Sequence, residues 1–196
     1  MKKIFVPALL SAIILLAACK KETTGGNTSI EGTYKFKYIS AKTSSSITGN
    51  YGDKTVTTSE YSTTDNGGSV SLVNGALTAT NLTYSVAAQA KLYEYDGANL
   101  LDSSSYPFSF TLPPSNSAGQ YKLIGADSIY FSQGGITAGV DGSGSYQTSA
   151  SGGHYSISGN LLTITQVVSK DSTFGESGET YNMIETGISS LVLEKQ

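Results

Sequence analysis

Residues 82–92 read LTYSVAAQAKL, and this stretch decides the fold class. Leu82, Tyr84 and Val86 are followed by further apolar residues at every second position as far as Leu92. An apolar side chain at each alternate position is the pattern of a β-strand with one buried face. Eleven such residues extend about 36 Å at about 3.3 Å per residue, which is long for a sandwich strand and favours a strand coiled around a barrel wall.

The same alternation recurs on both sides of this strand. Residues 34–38 place Tyr34, Phe36 and Tyr38 on one predicted face, and residues 106–112 alternate in the same way. Pro107 lacks a backbone N–H, so it marks the second segment as an edge strand or a strand start. We therefore expect an all-β domain over residues 30–196, an antiparallel barrel of about eight to ten strands, with a β-sandwich as the alternative.

Turns and loops are predicted from glycine and small polar residues. Gly125-Ala126-Asp127 splits one apolar segment, and Ser158-Gly159-Asn160 predicts a tight hairpin because Gly and Asn tolerate positive φ. Three longer segments rich in Ser, Thr, Asn and Gly are predicted to be loops, residues 41–52, 62–68 and 134–153.

The first nineteen residues have the order of an export signal. Lys2 and Lys3 precede an apolar run that is too short to span a bilayer and ends in Leu16-Ala17-Ala18-Cys19. This ending resembles the lipobox of bacterial lipoproteins. The resemblance implies a signal peptide over residues 1–18, cleavage before Cys19, lipidation of its thiol, and a flexible tether over residues 19–29. Ten such residues span about 17 Å as a random coil.

Three further stretches resemble lipocalin-like bacterial lipoproteins. They are the opening residues 30–35, IEGTYK, the hairpin at residues 154–164, HYSISGNLLTI, and the closing strand at residues 191–195, LVLEK. The resemblance implies a barrel that can hold a small apolar ligand. The aromatic residues predicted to face its interior are then candidate ligand-binding residues, with ordinary core packing as the alternative: Tyr34, Phe36, Tyr38, Tyr84 and Phe108.

The composition argues against a zinc-type metal site, nucleic-acid binding and catalysis. His154 is the only histidine and Cys19 the only cysteine, so a metal site of the zinc type has too few ligands. Without Lys2 and Lys3, ten of the twelve basic residues remain against fifteen acidic ones, which argues against nucleic acid as a partner. No spacing of carboxylates singles out a catalytic pair. We expect a non-enzymatic protein without cofactor or metal.

These observations predict a monomeric, lipid-anchored protein of the cell envelope. Lys20 stands where an Asp commonly retains lipoproteins at the inner membrane, which favours the outer membrane, on its periplasmic or its exposed side. The expected function is binding of a small apolar ligand or of an envelope partner. The alternative is a structural or interaction lipoprotein that has no ligand pocket and presents residues 41–52 and 134–153 to another surface protein.

Overall fold

The computed structural model describes residues 29–132, 150–176 and 178–196, and their secondary structure consists of β-strands. In chain order the nine strands are β1 (Gly32–Thr48), β2 (Asp53–Ser62), β3 (Thr64–Val73), β4 (Ala76–Asp96), β5 (Asn99–Ile124), β6 (Ser128–Phe131), β7 (Ser151–Ser158), β8 (Leu161–Glu176) and β9 (Glu179–Lys195). No part of these three ranges forms a helix with the length and hydropathy needed to span a membrane. The predictions for the signal peptide, for Cys19 and for residues 133–149 lie outside the described residues.

The strands form one antiparallel sheet that closes on itself. Pairing proceeds from β3 through β9 in chain order, and β9 then pairs with β1 through fourteen residue pairs. The predicted all-β barrel is therefore confirmed against the sandwich, and its nine strands fall within the predicted number. Closure is uneven, because β6 contributes only four residue pairs to each of its neighbours.

Strands β2 and β3 share one position in the ring. Strand β2 lies between the second half of β1 and the second half of β4, whereas β3 lies between the first halves of the same two strands. Thr63 joins them: its N–H donates to the carbonyl of Ile39, and its buried hydroxyl accepts from the N–H of Ile39, each at 2.9 Å. The ring thus has eight strand positions.

The core occupies the half of the ring that contains β3, β6 and β7, which we call the closed half. Its fully buried side chains come from most strands of the ring, among them Phe36, Leu72, Val86, Ile129 and Leu193. The end of the barrel at this half, where the turns at residues 74–75, 125–127 and 159–160 lie, is called the closed end. Both predicted turns at 125–127 and 158–160 are confirmed, with positive φ at Gly125 and Gly159.

A β-bulge in β1 makes one sequence prediction wrong. Opposite β9 the register passes from Phe36–Leu193 directly to Tyr38–Val192, so Lys37 is an extra residue. The buried alternation then resumes at Ile39 instead of Tyr38. Tyr38 consequently lies on the outer face with 42% of its surface exposed and does not share the inner face with Tyr34 and Phe36.

Six strands continue beyond the closed half as a single sheet, which we call the extension. It consists of residues 40–48, 53–62, 87–96, 99–110, 166–176 and 179–189. Residues 44–48 of β1 are all half-buried without alternation, so both faces of the sheet reach solvent. The end of the extension away from the core, with the turns at 49–52 and 97–98, is called the distal end.

The loop predictions for residues 41–52 and 62–68 are wrong for most of their length. Residues 41–48 belong to β1, residue 62 ends β2, and residues 64–68 begin β3. The segment predicted over 134–153 also ends too late, since β7 begins at Ser151. Ser and Thr fit a pleated sheet when neighbouring strands supply backbone partners on both sides, as β2 and β9 do for β1.

The prediction from Pro107 is confirmed. Pro107 lies in the part of β5 that, among the described residues, pairs with β4 alone. A proline in such an edge strand removes one N–H that another chain could use for pairing.

We predict that Thr63→Val destabilises the barrel by about 1–3 kcal/mol, because the buried N–H of Ile39 loses its hydroxyl acceptor. The change preserves side-chain shape, and urea-induced unfolding followed by circular dichroism measures it. Thr78→Val at an exposed position of β4 is the matched control and should shift the stability by less than about 0.5 kcal/mol. Equal stability of the two variants would contradict the role given to Thr63.

Candidate functional site

Four of the five candidate ligand-binding aromatics come together on the inner face. Tyr34, Phe36 and Tyr84 are at most 5% exposed, and Phe108 is half-buried at the border of the core, with its ring centroid 6.1 Å from that of Tyr61. The ring centroids of Phe36 and Tyr84 are 6.1 Å apart, and those of Tyr84 and Phe110 are also 6.1 Å apart. These rings pack on one another in the geometry of an aromatic core. Their role in ligand binding stays a prediction.

Two depressions open on the barrel wall. One of about 400 Å³ lies where β1, β2 and β9 meet and is lined by Ser40, Lys42, Tyr61 and Ile188 among others. A second of about 480 Å³ lies between β4 and β5 and is bounded by Gln89, Pro107 and Phe108. Both are open to solvent, and Phe108 is the one candidate aromatic that lines either of them.

Several titratable side chains form ion pairs on the surface. Lys42 lies 3.9 Å from Glu60 and Lys170 lies 3.7 Å from Glu185, all with well-exposed side chains. Glu194 accepts hydrogen bonds from Lys37 at 3.0 Å and from Asn160 at 3.2 Å, and the Lys37 ammonium lowers the pKa of this carboxyl. Within the described ranges, no three or more His, Cys, Asp or Glu side chains are grouped to hold a metal ion.

His154 has a small polar environment at the closed end. Its Nδ1 lies 3.7 Å from Asp127 and 3.4 Å from the hydroxyl of Ser128. His154 and Asp127 are both more than two-thirds exposed at their side chains. Solvent reaches each of these groups, so the contact ties the β5–β6 turn to β7 without the water-excluded surroundings that strengthen catalytic electrostatics.

The distal end carries a feature that the sequence analysis did not predict. Its two turns lie side by side, joined by a hydrogen bond of 3.1 Å from the N–H of Gly97 to the carbonyl of Gly52. Three large apolar side chains are exposed there, Tyr51 by 84%, Leu100 by 54% and Leu101 by 67%. We call the part of the distal end that carries these three side chains the distal tip.

A second bulge positions Leu101. The register between β4 and β5 passes from Glu94 opposite Asp102 to Tyr95 opposite Leu100, so Leu101 faces no residue of β4. A bulge redirects a side chain out of the regular alternation of a strand. One signal in the sequence could have revealed it: Leu100 and Leu101 are consecutive apolar residues directly after the turn, where alternation would place one apolar and one polar residue.

Four carboxylates lie on one face of the sheet at the distal end. Asp53 lies opposite Asp96 in the β2–β4 pairing, and Glu94 lies opposite Asp102 in the β4–β5 pairing. Like charges directly opposite one another destabilise a sheet. Lys54, whose ammonium lies 5.7 Å from the centre of the Tyr95 ring, is the one cation within residues 49–57 and 93–103. Leu100 lies opposite Tyr95, on the other face of the sheet from these four carboxylates.

Comparisons with protein-family models, with curated proteins and with solved structures find no match to this chain.

Burial changes the titration of three tyrosines in the barrel. Burial, with a smaller contribution from the charge of Tyr84, raises the pKa of Tyr61 to about 12. Burial also raises the pKa of Tyr34 and that of Tyr121 above the ordinary value. In each case the folded protein holds the phenol proton more tightly than the unfolded chain does. Stability is therefore unaffected below pH 10 and falls as the pH rises through 10 towards 12.

We predict that Tyr61→Phe removes about one-thirteenth of the total tyrosinate absorbance change, and removes it from the late part of an alkaline titration. The native chain gives the reference curve, and the prediction fails if Tyr61→Phe removes absorbance from the early part of the titration.

Proposed function

We propose that this protein is a lipid-anchored lipoprotein of the cell envelope, attached through Cys19, that presents its extension to a partner protein. The proposed location is the outer membrane. The observation that carries the proposal is a directional one: the described chain starts at the closed end of the barrel, and the extension leaves from the opposite end.

The start of the described chain is fixed to the closed end. Ile30 is fully buried in the core, and its carbonyl accepts a 2.6 Å hydrogen bond from the hydroxyl of Tyr34. The N–H of Asn74, in a closed-end turn, donates to the carboxylate of Glu31 at 3.0 Å. Ten residues separate Ile30 from Cys19, so a lipid on Cys19 would hold the closed end near the membrane surface, at an average distance of about 17 Å for a random-coil tether.

The extension then points away from the membrane. Residues 40–48 of β1 form nine pairs with β2, which corresponds to about 30 Å of sheet beyond the core. Each buried methylene of an acyl chain contributes about 0.8 kcal/mol, so two or three chains anchor such a protein firmly. The anchor requires nothing of the barrel surface, which leaves the extension free for contacts with other molecules.

The packing of the closed half favours a partner protein over a ligand inside the barrel. Tyr34, Phe36 and Tyr84, which were predicted to line a ligand site, are in contact with the core and at most 5% exposed. Large apolar side chains are exposed outside the core instead, Tyr51, Leu100 and Leu101 at the distal end and Ile124 at the closed end. Exposed apolar groups with a polar surround are typical of protein interaction sites.

We predict that Cys19→Ser abolishes lipidation and membrane attachment. Expressed in a Gram-negative host, the native chain should fractionate with membranes, require detergent for extraction and exceed in mass the polypeptide that begins at Cys19. Lys20→Ser, one residue further on, is the matched control and should behave as the native chain does. A native chain whose mass equals that of the bare polypeptide would refute the anchor.

A second prediction concerns orientation in the membrane. The lipid would occupy the only native cysteine, so Ser158→Cys at the closed end and Asn99→Cys at the distal end each supply one thiol for a fluorescent dye. In vesicles with a quencher on the lipid headgroups, the dye at position 158 should be quenched more strongly than the dye at position 99. Stronger quenching at position 99, or equal quenching, would contradict the proposed direction of the extension.

A further inference from the structure

We infer that the outer face of the extension, at its distal end, is a docking surface for a protein whose contact patch is acidic. Six side chains form this surface, which we call the outer patch: Lys54, Val56, Lys91, Tyr93, Tyr95 and Leu100. The inference deepens the proposed function, and it rests on that proposal for the display of the extension away from the membrane. Its support comes from the position of these side chains on one face, their partial exposure, and their charge.

The strand register makes the outer patch one continuous surface. Tyr95 lies opposite Lys54 on β2 and opposite Leu100 on β5, and the neighbouring Tyr93 lies opposite Val56. Side chains directly opposite one another have Cβ atoms about 4.5–5.5 Å apart and share a face of the sheet. The ammonium of Lys54, 5.7 Å from the centre of the Tyr95 ring, shows the same contact directly.

The outer patch faces away from the core and reaches solvent. Lys91, Tyr93 and Tyr95 occupy alternate positions of β4, whereas the buried Val86 belongs to the intervening set, which faces inward. Both tyrosines are half-buried, and Leu100 is 54% exposed. The sheet does not require large side chains here, because β1 has only hydroxyl residues on the outer face at the same three levels: Ser44, Ser46 and Thr48. Partly exposed tyrosines are typical of protein interfaces.

Charge is separated between the two faces of the sheet at the distal end. Within residues 53–58, 91–96 and 99–105, the ammonium groups of Lys54 and Lys91 lie on the outer face, and the four carboxylates lie on the inner face. Neither lysine forms an ion pair with a carboxylate of the described residues. The outer patch is therefore a cationic surface on a chain in which acidic residues outnumber basic ones, and its charge is available to a partner.

An acidic protein surface is the occupant that this chemistry fits. Carboxylates of the partner would pair with the two ammonium groups, while its apolar atoms would pack on the tyrosine rings and on Leu100. A second copy that docked through its own outer patch would bring like charge. An anionic membrane also attracts Lys and Tyr, but the proposed anchor displays the distal end on the far side of the barrel from the membrane.

The test is photo-crosslinking in the native host. A photoreactive amino acid in place of Ser103, which is exposed and lies opposite Tyr93, should give a discrete protein adduct. The same amino acid in place of Thr173, an exposed position on β8, should not give this adduct. Sequencing of the crosslinked peptide should locate it on a surface that carries Asp or Glu.

The tyrosine contact is tested with a matched pair of variants. Tyr93→Thr should reduce the adduct about tenfold or more, as expected for a central contact of an interface. Tyr38→Thr is the control: Tyr38 is also a tyrosine of the outer face, 42% exposed, but it lies in the closed half, and its substitution should leave the yield unchanged. Thr suits a strand, and urea-induced unfolding verifies that both variants remain folded.

Charge is tested separately, one face against the other. Lys54→Gln combined with Lys91→Gln should reduce the adduct several-fold and weaken its dependence on salt. Asp96→Asn combined with Asp102→Asn removes the same number of charges from the inner face of the same strands. This second double variant should not lower the yield, because the partner is expected to be acidic.

Three outcomes would overturn the inference. They are the absence of an adduct at position 103, an adduct formed there with lipid or with a second copy of the chain, and a protein adduct that neither Tyr93→Thr nor the double Lys→Gln change reduces. Membrane fractionation of the same cells reads the anchor independently. A chain that is anchored but gives no adduct refutes the docking surface alone, and a chain that is not anchored refutes the proposed function.

Discussion

The pairing of β1 with β9 is the contact on which the barrel depends. Strand β1 follows β9 along fourteen residue pairs and therefore bridges the closed half and the extension. Without this pairing the remaining strands would form an open sheet with two exposed edges, which other chains could use for pairing. The bulge at Lys37 lies within the same contact, and the Lys37–Glu194 ion pair of 3.0 Å joins the two strands beside it.

The closed half and the extension differ in whether their strands have a buried face. In the closed half each strand has one buried face, and its inner residues are large and apolar, such as Phe36, Leu72 and Leu193. In the extension both faces meet water, and β1 accordingly changes to the sequence Lys42-Thr43-Ser44-Ser45-Ser46. Backbone hydrogen bonds to β2 and β9 hold this part of β1, aided by hydroxyl contacts such as the 2.7 Å bond between Thr43 and Ser59.

This division explains which features could be predicted from the sequence. Alternation in residues 82–92 predicts the barrel wall correctly, because burial of one face requires an apolar residue at every second position. Alternation disappears in residues 42–48, where no side chain is buried, and those residues were predicted to be a loop although they form a strand. The displacement of Tyr38 could not be predicted either, because a bulge is specified by pairing with β9 and not by the local pattern.

The same reasoning separates structural aromatics from functional ones. The sequence predicted a ligand site from Tyr34, Phe36 and Tyr84 because rings at alternate positions must face inward, but the need for a core places them there in any case. Tyr51 and Leu101, in contrast, are not required by the core. Neither alternation nor burial requires a large apolar side chain at a turn or in a bulge at the distal end, where Ser or Thr would satisfy the sheet equally well. Exposed apolar residues that stability does not require are better explained by a contact made outside the chain.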